Sequence, residues 1–191
     1  MNNQEIYEKL QASDAIRSGH FQLTSGRHSD TYIQCARVLE HPTLTLDLAR
    51  EMVARLPEGL NPDVVAAPAV GGIIIGFAVA LALDVPFLFS ERQNGVMVFR
   101  RAFEVSRGAR VLVVEDVVTT GGSVNEVVQL VEAADAEVVG VTALINRGGP
   151  KAFSRPFYPL LSLEVASWDF ADCHLCADGV ELYSPGSRRL K

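Results

Sequence analysis

Along the first third of the chain apolar residues are sparse, whereas from residue 64 to residue 145 they condense into short solid runs separated by helical stretches. Ile6, Leu10 and Ile16 fall at nearly helical spacing and predict an opening helix over 4–16. Residues 19–36 are polar and turn-rich, and their two apolar runs, Phe21–Leu23 and Tyr32–Cys35, suit a small hairpin. An amphipathic helix is predicted from Pro42, placed where a first-turn proline is tolerated, to Leu56, where Pro57 ends it. Strands are then predicted at Val64–Ala67, Phe87–Phe89, Arg110–Val114 and Glu137–Ile145, with helices running up to Leu83 and over Ser123–Ala134. Ser90–Gly95 is expected to be a turn, Val96–Phe103 a hairpin or mobile flap, and residues 155–165 to end in one more strand.

Solid apolar strands alternating with helices predict an α/β fold with a parallel sheet covered on both faces. Such sheets take ligands at the carboxyl ends of their strands, which here means the turns Pro68–Gly72 and Val117–Gly122. The length, 191 residues, suits a single domain with a core over about 41–165 and a hood over about 1–40 plus parts of the C-terminal tail. The longest apolar run, Gly71–Leu83, stops at Asp84, short of membrane-spanning length. Met1–Glu5 lacks the basic start and apolar stretch of a signal peptide, so the cytoplasm is the expected compartment.

Net charge is −6, which disfavours a nucleic-acid partner. The cations are unevenly divided, with three lysines (Lys9, Lys151, Lys191) among the 17 basic residues and arginine supplying the rest. Any anion site must therefore rest on guanidinium forks and backbone amides. The three cysteines, Cys35, Cys173 and Cys176, do not form a disulfide framework. Cys173-His174-Leu175-Cys176 is a lone CxxC, read as two reduced thiols in a turn; zinc there would need further ligands, such as His174 or a partner subunit. His20 and His28 are assigned no role.

The string Val113-Val114-Glu115-Asp116-Val117-Val118-Thr119-Thr120-Gly121-Gly122-Ser123 carries the chemistry. It leaves the core at a strand end, presents two carboxylates, and runs through hydroxyls and glycines into a helix. A helix start offers unpaired N–H groups and a positive dipole end, so the glycine turn can hold a phosphate. Carboxylates beside it would repel a bare phosphate and need a polyol or a cation. Ribose 5-phosphate satisfies both, with the phosphate in the turn and its hydroxyls donating to Glu115 and Asp116. No GxxxxGK or GxGxxG motif occurs.

This string resembles the signature of the type I phosphoribosyltransferases. Phe21-Gln22-Leu23-Thr24-Ser25-Gly26-Arg27-His28-Ser29, followed by Tyr32-Ile33, is similar to the substrate hood of the orotate phosphoribosyltransferases. Ile145-Asn146-Arg147-Gly148-Gly149 is similar to that family's base-site strand end, and Pro185-Gly186-Ser187-Arg188 to the C-terminus of one bacterial branch. The resemblance implies that Glu115, Asp116, Val117, Val118, Thr119, Thr120, Gly121, Gly122 and Ser123 bind the ribose 5-phosphate of phosphoribosyl diphosphate. It implies that Ala69 to Gly72, with Gly71 and Gly72 at the centre, receive the diphosphate. Thr119 and Arg147 would contact orotate, and the backbone at Tyr32 and Ile33 would close over its ring. Mg²⁺ carried mainly by the substrate and a homodimer with shared sites are also implied. The chain departs from the family pattern in having Thr24 and Gly71 where lysines are common, and in having neither lysine nor histidine over 90–107. Arg92, with Arg100 or Arg101, is the expected replacement on the diphosphate, reaching across the dimer interface. Two other functions share the donor features: transfer to a different base, and a non-catalytic sensor of phosphoribosyl diphosphate.

Overall fold

The computed structural model describes residues 1–148 and 155–185. Helix α1 (Asn3–Ala12) is started by a reciprocal capping box between Asn2 and Glu5, and it buries Ile6 and Leu10. It is shorter than expected. The chain turns at Asp14, whose φ is +57°, so Ile16 opens strand β1 (Ile16–Gln22) instead of closing the helix. Strand β1 pairs antiparallel with β2 (His28–Ile33), forming a two-stranded hood that begins earlier than its apolar residues suggested.

A short helix α2 (Ala36–Leu39) leads to α3 (Pro42–Ala54), which starts at Pro42 as expected. The sheet follows: β3 (Val64–Pro68), helix α4 (Gly71–Leu83), the hairpin β4 (Phe87–Gln93) and β5 (Val96–Phe99), β6 (Arg110–Val118), helix α5 (Gly122–Ala133), β7 (Glu137–Asn146) and β8 (Phe157–Ser162). The strand order is β5-β4-β3-β6-β7-β8, with only the β4–β5 pair antiparallel. This is the expected α/β sheet. The segment from Ser90 to Gly95 is not a six-residue turn: β4 continues through Gln93, and Asn94-Gly95, both at positive φ, make a two-residue hairpin loop.

Alternation along the strands divides the core into two layers. Val65, Leu112, Val114 and Leu144 face α3 and α4 together with Ile6 and Leu10, whereas Ala66, Val111, Val113 and Val141 face α5. Both layers are dry, so the strand ends on which the site is built are fixed by packing on either side of the sheet.

The tail returns to the hood. Trp168 bridges His28, and Tyr183 bridges Phe21 through backbone pairing. Arg27 donates to the Ser167 hydroxyl and carbonyl and to Asp169. A 3₁₀ turn (Phe170–Asp172) precedes a last short helix, α6 (His174–Ala177).

Candidate active site

Strands β3, β6 and β7 are neighbours in the sheet, and the segments leaving their carboxyl ends meet over one rim. At the end of β6, Glu115 is buried and Asp116 half-buried. The Asp116 backbone N–H donates to Glu115 Oε1 at 3.0 Å, and the Val117 N–H donates to Asp116 Oδ1 at 2.8 Å. Burial first, and the Asp116 charge second, push the Glu115 carboxyl up to about 9. Two adjacent carboxylates in a poorly hydrated pocket cannot both ionise cheaply without cations or donors opposite them.

The turn after β3 is built around that pair. A Cβ added at Gly71 would lie 2.6 Å from Asp116 Oδ2 and 2.7 Å from Oδ1, and one at Gly72 would lie 3.2 Å from Glu115 Oε1. The first contact is closer than real Cβ atoms show and the second is tight, so the turn approaches the carboxylates as closely as it does because it is bare backbone. With Asp116 in this position, Gly71 leaves its carboxylate room against the turn, and a side chain at 71 would require that carboxylate to move aside.

On the other side of β6 the cradle is formed. Gly121 caps α5 at φ +75°, a conformation costly for any residue with a Cβ, and turns the amides that follow toward one hollow. That hollow, about 230 Å³, is lined by Glu115, Val117 to Val124, Glu126 and Arg92. A larger one of about 590 Å³, between Lys9 and the start of α3 near His41, contains none of these carboxylates or glycines. Chemistry, not size, selects the smaller hollow.

Next to the cradle, β6 and β7 end in register at Val118 and Asn146. The Arg147 N–H donates to the Val118 carbonyl at 2.7 Å. A Cβ on Gly148 would fall 1.8 Å from the Thr119 carbonyl oxygen, so the chain crosses there only as glycine. The Arg147 guanidinium is half-buried, and that burial lowers its pKa while the Tyr32 phenol beside it acts in the opposite sense. A hood residue therefore lies within electrostatic reach of Arg147. Cys35, just beyond β2, places its thiol 3.8 Å from the Asp116 carbonyl, so the hood and the carboxylate pair share a wall.

A family model of the phosphoribosyl transferase domain matches residues 36–173. The orotate phosphoribosyltransferase of Caldanaerobacter subterraneus subsp. tengcongensis is 46% identical over 187 residues, covering 97% of this chain and 96% of that relative. The chain belongs to the orotate phosphoribosyltransferase family. The orotate phosphoribosyltransferase of Thermotoga maritima is also 46% identical over 187 residues, covering 97% of this chain and all of its own. Among solved structures, the orotate phosphoribosyltransferase from Aeropyrum pernix gives a TM-score of 0.72 at 22% identity, covering 83% of this chain and 94% of its own, a likeness of fold.

The orotate phosphoribosyltransferase fold brings most of the expected residues together: Glu115 to Ser123, Gly71 and Gly72 around the carboxylates, and Thr119, Arg147 and Tyr32 beside them. Arg92 lines the cradle of its own chain, pairing with Glu126 of α5 at 2.6 Å and donating to the Gly95 carbonyl. Arg100 and Arg101 gather instead on Glu91, at 3.8 and 3.4 Å. Gly149 and residues 186–188 lie outside the described residues. Glu126 and Cys35 had escaped the sequence reading. Glu126 had a usable signal, since it sits one helical turn beyond Gly122 on the face that looks into the cradle.

Proposed function

We infer that this chain transfers the 5-phosphoribosyl group from phosphoribosyl diphosphate to orotate, giving orotidine 5-monophosphate and diphosphate in pyrimidine biosynthesis. The observation that carries the reading is the adjacent Glu115–Asp116 pair, one buried and one half-buried, set between two glycine turns, with Arg147 and Tyr32 alongside. The α5 amides and the hydroxyls of Thr119, Thr120 and Ser123 hold the 5-phosphate. Glu115 and Asp116 accept from the ribose hydroxyls, which fixes the sugar with C1 toward the β7 end. The Gly71–Gly72 backbone lies where the diphosphate must rest. The C1–O bond to diphosphate breaks and its electron pair leaves with that group, while N1 of orotate supplies the pair that forms the new C1–N1 bond. Orotate is already an anion, so the site needs no strong base. Arg147 offers a planar fork to the orotate carboxylate, and the hood at Tyr32 and Ile33 closes over the ring and excludes water that would hydrolyse the donor.

The carboxylate oxygens beside Gly71 suit a hard divalent ion such as Mg²⁺ arriving with the donor, and they explain why Glu115 stays protonated without one. Such an ion would offset charge growing on the departing diphosphate. Arg92, on the rim of its own chain's cradle, is the cation we assign to the donor phosphates.

Helix α4 supports a homodimer. Val70, Ile74, Phe77 and Leu81 form an exposed stripe along its outer face, with Phe77 and Leu81 each 59% exposed. A helix that is apolar all round belongs in an interior, and a second copy of the same face supplies one. No helix among the described residues is long and apolar enough to cross a membrane.

Diphosphate release from phosphoribosyl diphosphate, measured in parallel with orotate, uracil and purine bases, tests the reading. Turnover with orotate alone is expected, and Arg147→Ala is expected to raise the orotate KM strongly while leaving the donor KM nearly unchanged. Turnover with a purine and not with orotate would overturn it, as would loss of donor binding in Arg147→Ala.

A further inference from the structure

Four side chains from three separate stretches of sequence converge beneath the hood: His20 on β1, His28 on β2, Cys173 immediately before α6 and Cys176 within it. Their four ligand atoms lie within 4.8 Å of one another, and His20, His28 and Cys173 are each no more than 3% exposed. His20 Nε2 stands 2.9 Å from His28 Nδ1, 3.4 Å from Cys173 Sγ and 3.6 Å from Cys176 Sγ, and Cys176 Sγ stands 3.2 Å from His28 Nδ1.

Hydrogen bonding cannot account for this convergence. His20 Nδ1 lies 2.8 Å from the Val180 carbonyl, a group that can only accept, so Nδ1 carries a proton and, in the neutral ring, Nε2 is left with one lone pair. Three neighbouring atoms approach that single lone pair, and one lone pair is satisfied by one proton. Atoms rich in lone pairs crowd about a common point when a cation occupies it. Bonds of about 2.05 Å to nitrogen and 2.3 Å to sulfur in a tetrahedron put N–S edges at about 3.5 Å, in line with the 3.2–3.6 Å found, and the N–N edge at about 3.3 Å, to which the 2.9 Å pair would open around an ion. The bond from His20 Nδ1–H to a backbone carbonyl is also the outer support that metal-bound imidazoles require.

We propose that His20, His28, Cys173 and Cys176 bind one Zn²⁺ ion in a closed, four-coordinate structural site. An S₂N₂ tetrahedron is the donor set of zinc, and with all four positions filled by protein no place remains for a reacting water. The CxxC thus finds its further ligands in the hood histidines. His174 is not among them; its ring packs edge-on against Trp168, 4.6 Å between centroids. The ion ties the hairpin carrying Tyr32 to the tail that covers it, in a part of the molecule where the described residues bury little aliphatic core. Binding releases the two thiol protons, and no oxidation state changes.

Metal analysis of the full-length protein purified without chelator or affinity tag is expected to give one zinc per chain. Replacement by Co²⁺ is expected to show the visible bands of a tetrahedral ion together with cobalt–thiolate charge transfer. Cys176→Ser should lose the metal and lower Tm while the far-ultraviolet circular dichroism of the sheet persists; His28→Cys should retain the ion and strengthen the thiolate bands. A metal-free protein whose cobalt complex lacks thiolate bands would overturn the proposal, and so would a Cys173–Cys176 disulfide in the mass of the protein as isolated. These readouts do not depend on orotate turnover, so they stand or fall apart from the transferase activity.

Discussion

Glu115 illustrates how the site taxes the fold. Its carboxyl titrates near 4.5 when solvated and at about 9 in the folded protein, so between those values the folded chain holds a proton that the unfolded chain has released. Stability from this residue is complete below the unfolded value and is lost as pH rises through the folded one, with a slope of at most about 1.4 kcal/mol per pH unit. Urea unfolding at pH 6 and pH 8.5 is expected to show the free protein weaker at the higher pH. Glu115→Gln should flatten that fall relative to the parent, because an amide has no proton to lose. Parallel pH profiles for parent and variant would mean that Glu115 is ionised in the fold. Donor binding should run the other way, since ribose hydroxyls and a cation favour the carboxylate and so release the proton. At this scale the sequence exposed the carboxylates and glycines because they are contiguous. It could not expose Cys35 beside Asp116, or His20 beside Cys173, because those neighbours are 81 and 153 residues apart in the chain.

At the scale of elements, the strands were legible in kind but not in extent. A solid apolar run marks where a strand is buried on both faces, but its ends are fixed by ladder partners that the run does not contain. Strand β6 continues to Val118 because β7 pairs with it there, and β4 continues through Gln93 because β5 folds back on it at Asn94-Gly95. That dipeptide is itself a strong hairpin signal, and polar Glu91-Arg92-Gln93 obscured it. The longer β4 has a consequence for chemistry. It places Arg92 on a paired strand with its guanidinium on Glu126 of α5 in its own chain, whereas the family resemblance implies reach across an interface. Arg92→Ala is expected to lower kcat and kcat/KM together by on the order of 10² to 10³, with Arg92→Lys recovering part of the loss. Mixed dimers of an Arg92→Ala subunit with an Asp116→Asn subunit decide the placement. If Arg92 serves its own chain's cradle, every subunit of the mixture carries one defect in its own site and mixing restores nothing. Recovery of one working site per mixed dimer would put Arg92 on the partner's donor.

For the whole molecule the question is which part of the site needs a second copy. In the reading proposed above, the glycine turn, the carboxylate pair and Arg147 act within one chain, and Arg92 lines the same hollow. The apolar stripe on α4 starts at Val70, in the turn between β3 and α4 that we propose receives the diphosphate, so whatever covers α4 also lies beside that turn. Covering Val70, Ile74, Phe77 and Leu81 removes from water a patch of the kind that monomers seldom leave exposed. Phe77 and Leu81 lie one helical turn apart, are exposed and do not line the cradle, so changing them tests association without altering the residues proposed to hold the donor. If the proposed dimer forms on this face, Phe77→Asp combined with Leu81→Lys is expected to give a monomer in sedimentation equilibrium while the cradle, held by the two buried faces of the sheet, keeps its shape. The monomer should still bind phosphoribosyl diphosphate, within about tenfold of the parent in calorimetry, because the donor's phosphate and ribose contacts come from its own chain. Its turnover should fall much further, since the second copy would no longer shield the diphosphate end at Val70 from water. A variant that remains dimeric would place the interface on another face, and a monomer with full turnover would show that each site is complete within one chain.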